Sequence, residues 1–258
     1  MSEHTLSPAE QLGLLLAKCA DSGRVISVAE IEAGHLLPQN VEQAMRAQAV
    51  ASAGHPVAGW KVAIGPEGMP VAAPLLDIAN AESHNEVRRQ NSNPVAVEVE
   101  IAFRLGSDIV PGRSYSREDI RRRVDSVHIG VELIGPRLVE GDKAPFPLFL
   151  ADRLGNGGYV VGPELESGAI DLLMSGSEPL PAMSVCVDGR EILNVRPHHP
   201  NGDPLAPLVA YANAQIDQLG GLRRGQFVTT GSLCGVLPVS KPQMLCIEWL
   251  RKLLVRFG

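Results

Sequence analysis

Val95-Ala96-Val97-Glu98-Val99-Glu100-Ile101-Ala102-Phe103 is the most informative stretch of the chain. Side chains on a strand alternate between faces, so Val97, Val99 and Ile101 take one side while Glu98 and Glu100 project together from the other. Alone, this pattern also describes an amphipathic strand with a wet outer face. A second run, Val127-His128-Ile129-Gly130-Val131-Glu132-Leu133, repeats it: the apolar residues share one face, and Glu132 shares the other with His128 and Gly130. Glycine inside a strand marks close approach by a ligand or another backbone. If the two strands are neighbours, three carboxylates converge.

Like charges a few ångströms apart oppose one another's ionisation, so such a cluster needs compensation. A hard divalent cation supplies it, and an all-oxygen shell suits Mg²⁺, Mn²⁺ or Ca²⁺ rather than zinc. Three carboxylates with one such ion leave a formal charge of −1, so an anionic substrate needs a further cation nearby. Lys61 is a candidate, because in Gly59-Trp60-Lys61-Val62-Ala63-Ile64 it faces away from Trp60, Val62 and Ile64; a solvated strand lysine is the plainer alternative. Asp77, after the apolar run Pro74-Leu75-Leu76, is either a general base or a turn residue.

Outward from these strands, the chain of 258 residues is long enough to bury a large core without disulfides or a structural metal. Its four cysteines form no Cys-x-x-Cys pair, as expected of reduced thiols. The net charge of −6 argues against nucleic acid and anionic membranes as partners. The opening residues lack a signal peptide and no apolar run reaches the roughly 20 residues of a span, so the expectation is a cytoplasmic protein. Glycine (26) and proline (20) are abundant while Phe, Trp and Tyr are few, which favours short aliphatic strands and many turns over a helical bundle.

Helix signals crowd the N-terminus. Ser7-Pro8-Ala9-Glu10 has the form of a capping box, Ser27-Val28-Ala29-Glu30 repeats it, and Asn40 can cap a helix from Val41 to about Ser52. Strands are expected over 59–64, 95–105, 126–134, 158–161, 183–187, 226–230 and 244–249, with helices over 117–124, capped by Ser116, and 204–219. This is an α+β chain, with a helical N-terminal region (1–55) packing on a β-rich catalytic core (56–258). His198-His199 reads as a loop, the glycines at 155, 157, 158 and 162 as a hairpin turn, and Arg121-Arg122-Arg123 as a solvated helix face.

Taken together, Gly-Trp-Lys-Val at 59–62, Val-Glu-Val-Glu-Ile-Ala-Phe at 97–103, Gly-Val-Glu-Leu-Ile-Gly-Pro-Arg at 130–137, Leu-Ala-Asp-Arg-Leu-Gly-Asn-Gly-Gly-Tyr-Val-Val-Gly at 150–162 and Val-Thr-Thr-Gly-Ser at 228–232 resemble the 2-keto-4-pentenoate hydratases of the fumarylacetoacetate hydrolase superfamily. The resemblance implies a mixed β roll, with Glu98, Glu100 and Glu132 as Mg²⁺ or Mn²⁺ ligands. It further implies Lys61, Asp77 and Asp152 as catalytic groups, Arg153 and Ser232 as substrate-binding groups, and a cytoplasmic homo-oligomer. The implied reaction is hydration of a 2-hydroxy-2,4-dienoate to a 4-hydroxy-2-oxo acid in aromatic catabolism. Decarboxylation or carbon–carbon hydrolysis of a 2-oxo acid on the same metal is the nearest alternative, with His35 a candidate base for hydrolysis. A non-catalytic subunit supporting a partner enzyme is the third. Three departures stand out: a shortened segment between Lys61 and Glu98, Arg153 where such enzymes carry asparagine, and Leu233-Cys234-Gly235 in place of Gly-Pro.

Overall fold

A computed structural model describes residues 6–81, 85–90, 94–166, 168–175 and 180–258; the first five residues, read above for a targeting signal, lie outside this set. The chain opens with helices α1 (Pro8–Ser22), α2 (Val28–Ala33) and α3 (Val41–Ala51). Both capping boxes form: the Ser7 and Ser27 hydroxyls accept from the Glu10 and Glu30 amides, and each glutamate returns to its cap. Next come β1 (Gly59–Ile64), β2 (Pro70–Leu75), β3 (Ile78–Asn80), β4 (Glu86–Arg89) and β5 (Ala96–Leu105). Helix α4 (Arg117–Arg121), β6 (Val124–Ile134), α5 (Phe146–Ala151), β7 (Asn156–Glu164) and α6 (Ala169–Ser175) follow. The last third holds β8 (Met183–Val187), β9 (Arg190–Val195), α7 (Ala206–Ala212), β10 (Phe227–Ser232), β11 (Leu237–Pro238), β12 (Met244–Trp249) and β13 (Arg251–Phe257).

The large mixed sheet runs β2-β1-β10-β5-β6-β7-β3, with β11 added to β5. Its two edge strands, β2 and β3, are separated in sequence only by Leu76 and Asp77. A sheet whose opposite edges are tied by two residues cannot lie flat, so it rolls almost into a barrel; the Tyr159 amide donates to the Asp77 carbonyl, extending the β3–β7 pairing to the seam. The outer face, including Trp60, Val99, Ile101, Phe103, Ile129, Val131 and Val228, forms the main core with the second sheet, β4-β13-β12-β8-β9, and with α7. Helices α1 to α3 share a separate core with Val71, Ala73 and α5. These features make an α+β fold with a mixed roll, as expected.

Several sequence expectations need correction. The helix expected to Val124 ends at Arg121 because Val124 is drawn into β6, and the helix expected over 204–219 covers only Ala206–Ala212. Gly157, Gly158 and Gly162 belong to β7 rather than to a hairpin turn; only Gly155 sits in the preceding turn, with φ 74°.

Candidate metal centre

The register of β5 against β6 sets Glu98 opposite Glu132 and Glu100 opposite Gly130. Alternation turns all three glutamates to the inside of the roll, where one oxygen from each lies within 4.8 Å of the others. Lys61 projects from β1, three strands from β6 and so roughly 14 Å away along a flat sheet. Curling closes that gap: Lys61 Nζ lies 2.6 Å from Glu132 Oε2 and 3.7 Å from Glu98 Oε2. Asn156 donates to the other Glu132 oxygen at 2.9 Å, and the Thr229 hydroxyl donates to Glu100.

Glu100, Glu132 and Lys61 are buried or nearly so. Burial and the Glu132 charge push the Glu98 carboxyl up to about 7, despite Lys61. Glu100 is raised well above the ordinary carboxylate range by burial and by both neighbouring carboxylates. For Lys61 burial pulls the other way, but attraction to Glu132, Glu98 and Glu100 outweighs it and holds the ammonium charged. Glu100 Oε1 has no hydrogen-bond partner although fully buried. A buried carboxylate oxygen without a partner, repelled by two more carboxylates, is a group that a cation would satisfy. The all-oxygen donor set fits a hard divalent ion, which together with Lys61 brings the three carboxylates to neutrality.

Tyr159 and Thr229 belong to this site, although sequence reasoning did not single them out. Tyr159 sits opposite Glu132 on β7, fully buried; its hydroxyl has no hydrogen-bond partner, and burial and Glu100 raise its pKa far above the ordinary phenol value. Both residues lie inside quoted motifs, and alternation marks their faces, but only the register shows that those faces meet Glu100. Gly130 is explained by the same ring: a Cβ there would stand 2.0 Å from the Tyr159 hydroxyl oxygen. The close approach anticipated from this glycine is therefore made by a side chain.

The remaining expected residues lie elsewhere. Asp77 occupies the seam of the roll, its carboxylate gripped by Arg89 through both terminal nitrogens. Asp152 is buried against Arg137, with Nε to Oδ1 at 2.5 Å, and its other oxygen accepts the Arg137 amide. Both aspartates are thus spent on arginines, and neither touches Lys61 or the glutamates among the described residues. Ser232 follows the bulge in β10 and sits opposite Glu100, but its hydroxyl donates to the Gly235 carbonyl. Arg153 lines a cleft beyond Asn156. His35 lies on the wall of a different hollow beside α3, and His199 is buried as a neutral ring, held at about 4 by burial, accepting from the Asn201 amide.

No protein-family profile matches the chain, and no curated protein matches it in sequence. Solved structures match its shape. 4-Oxalocrotonate decarboxylase from Pseudomonas putida G7, complexed with magnesium and adipate, superposes with a TM-score of 0.76 at 17% identity over 98% of this chain and 99% of that one. The same enzyme with calcium and acetate gives 0.74 at 16% identity and equal coverage. Fumarylpyruvate hydrolase from Pseudomonas aeruginosa, with Mn²⁺ and pyruvate, gives 0.51 at 14% identity over 77% of this chain and 88% of that one. The chain has the fold of the fumarylacetoacetate hydrolase type. No described helix is long and apolar enough to cross a membrane.

Proposed function

We propose that this protein is a divalent-metal-dependent lyase acting on a small 2-oxo acid, with Glu98, Glu100 and Glu132 holding Mg²⁺ or Mn²⁺. The observation that carries this reading is the buried Glu100 oxygen without a partner, inside a three-carboxylate cluster that also contains a lysine. A divalent cation held there supplies Lewis acidity to a chelating 2-oxo carboxylate where negative charge develops. Lys61 holds Glu132 in place and offsets the remaining negative charge as an anionic substrate enters. Thr229 fixes Glu100, and Asn156 fixes Glu132, so the ligand oxygens are oriented in advance. Tyr159, kept protonated, offers a hydroxyl proton beside Glu100.

Between the two bonds such a site can act on, we rank decarboxylation first. It needs an electron sink, which a cation held by Glu98, Glu100 and Glu132 would provide, and a proton donor, for which the Tyr159 hydroxyl stands beside Glu100. Hydration needs in addition a base that delivers water, and the two aspartates expected to serve are bound to arginines. The full-length likeness to a decarboxylase supports the same order. Hydration of a 2-hydroxy-2,4-dienoate is the second reading, supported by the motif resemblance. Incubation with a panel of 2-oxo acids and Mg²⁺ or Mn²⁺, followed by NMR, separates them: decarboxylation releases CO₂, hydration retains every carbon, and hydrolysis gives two fragments. Metal binding without turnover on any member, together with co-purification of a partner, would replace the enzyme reading with that of a supporting subunit.

A further inference from the structure

Between the end of α1 and the rim of the roll lies a cleft of about 530 Å³ whose charged lining is Arg24, Asp77, Arg89, Arg137 and Arg153. Three of its four arginines have counter-charges. Arg24 pairs with Glu30 at 2.7 Å, Arg89 grips Asp77, and Arg137 binds Asp152 and the carbonyls of Gly135 and Asn156. Arg153 is the exception: among the described residues it makes no hydrogen bond and no ion pair, and its Nε is buried without an acceptor. The carboxylate it senses, Asp152, is already taken by Arg137, while Arg137 itself repels it. Burial and that repulsion lower its pKa to about 10, which still leaves it charged near neutral pH.

Arg153 is half-buried, with its Nε shut off from solvent and its terminal nitrogens facing the cleft, so part of a charged group is desolvated without compensation. The backbone is strained as well, since Arg153 and Leu154 stand consecutively at φ 53° and 52°, in the left-handed region that L-residues disfavour. Leu154 is buried in the apolar cluster with Leu148 and Leu150, which locks this geometry. Gly158 contributes as well: a Cβ there would stand 2.7 Å from an Arg89 terminal nitrogen, so any side chain would force that guanidinium away. Arg89 Nε is a second buried donor without an acceptor on the same cleft.

We propose that this cleft binds a small organic carboxylate, anchored by the Arg153 guanidinium. The planar fork of arginine matches a carboxylate with two parallel hydrogen bonds, and the incoming charge supplies the partner that Arg153 lacks. Val95, Leu133 and Pro136 line the same space and suit a short carbon chain better than a bare inorganic ion. The carboxylate comes either from a separate small acid or from the far end of a dicarboxylic substrate whose near end sits at the glutamate cluster. Gly157 on the cleft wall adjoins Asn156, which holds Glu132, so one short segment serves both the cleft and the glutamate cluster.

The test is calorimetric titration of the full chain, loaded with Mn²⁺, with acetate, succinate and glutarate, alongside Arg153→Gln and Arg153→Lys. The expected result is that at least one dicarboxylate binds, that Arg153→Gln weakens it about tenfold or more, and that Arg153→Lys retains part of it. A second readout guards against misfolding: Arg153→Gln should leave the melting temperature of the ligand-free protein unchanged or raised while abolishing its stabilisation by carboxylate. Metal-free Glu100→Gln protein then identifies the source. Unchanged succinate affinity shows a separate acid, and lost affinity shows one ligand spanning both sites. The proposal is overturned if no carboxylate binds at millimolar concentration, if Arg153→Gln binds as wild type does, or if Arg153→Gln alters the oligomeric state, which would place the counter-charge on a second copy.

Discussion

Gly130→Ala tests the interior of the roll most sharply. A methyl group there would stand 2.0, 2.7 and 3.0 Å from three atoms of the Tyr159 ring system, where contact begins near 3.4 Å. Tyr159 cannot simply retreat, because it is fully buried and shares a small cluster with Leu75, Ala102, Val161 and Phe227. Overpacking of this kind costs about 1–3 kcal/mol, and the gain of about 0.5–1 kcal/mol from replacing a strand glycine recovers only part of it. The net loss of about 1–2 kcal/mol corresponds to a drop of roughly 2–4 °C in melting temperature for a chain of this length. Tyr159→Phe removes the atom in closest conflict and also a buried hydroxyl without a partner, so by itself it should be neutral or stabilising by about 1 kcal/mol. The double variant should therefore recover part of the loss, with a coupling energy above about 0.5 kcal/mol. Urea melts of the four metal-free proteins measure this cycle. Additive effects, or a Gly130→Ala protein as stable as wild type, would refute the placement of Tyr159 against Gly130, and with it the register that brings Tyr159 to Glu100.

Other expectations follow from the charged groups. Asp152→Asn strands the buried Arg137 guanidinium and should cost about 3–5 kcal/mol, read as a large shift of the urea midpoint at unchanged slope. Lys61→Met should destabilise the metal-free protein by leaving Glu132 and Glu98 uncompensated, and Mn²⁺ should restore more stability to this variant than to wild type, measured as the metal-induced shift in melting temperature. His199 is held at about 4 against an unfolded value near 6.5, so the unfolded chain takes up its proton first as pH falls. Its contribution is thus present above pH 6.5 and is lost progressively down to about pH 4, on the order of 3 kcal/mol in all. Glu98, raised to about 7, titrates in the opposite sense over part of this window, so the check is the wild-type minus His199→Gln difference in stability between pH 4 and 7.

Local structure was the most legible layer of the sequence. The run Gly59–Ile64 alternates cleanly and is bounded by glycine, and β1 has those limits; Met183–Val187 and Met244–Trp249 behave likewise. The serine caps of α1, α2 and α4 are chemical signals that need no tertiary context. Strand β2 was harder to see because Pro70 and Pro74 read as breakers. They are tolerated because β2 is an edge strand, where a missing amide costs no ladder bond. Helix α5 was hidden in the same way by Pro145 and Pro147, which fall at its start.

The candidate site divides along the same line. Convergence of Glu98, Glu100 and Glu132 follows from alternation once two strands are neighbours, and the neighbour relation is the simplest pairing for strands so alike. What alternation cannot give is the curl that brings Lys61 across three strands, because it depends on the two edges being joined through Leu76 and Asp77. Likewise, nothing local shows that Asp77 and Asp152 are taken up by Arg89 and Arg137, since those partners are set by the folding of the seam and of the turn before β7. Arg153 was marked by the motif resemblance, as a substrate-binding group and as a departure from the usual asparagine; the left-handed backbone that presents it is a property of the fold.

The central claim is that Glu98, Glu100 and Glu132 form one divalent-metal site. Titration of the protein with Mn²⁺, following the free-ion signal by electron paramagnetic resonance, tests it most directly. The expected result is one ion bound per chain, competed by Mg²⁺ and lost in both Glu100→Gln and Glu132→Gln proteins that remain folded by circular dichroism. Absence of stoichiometric binding at millimolar Mn²⁺, or equal binding by wild type and both variants, would contradict it.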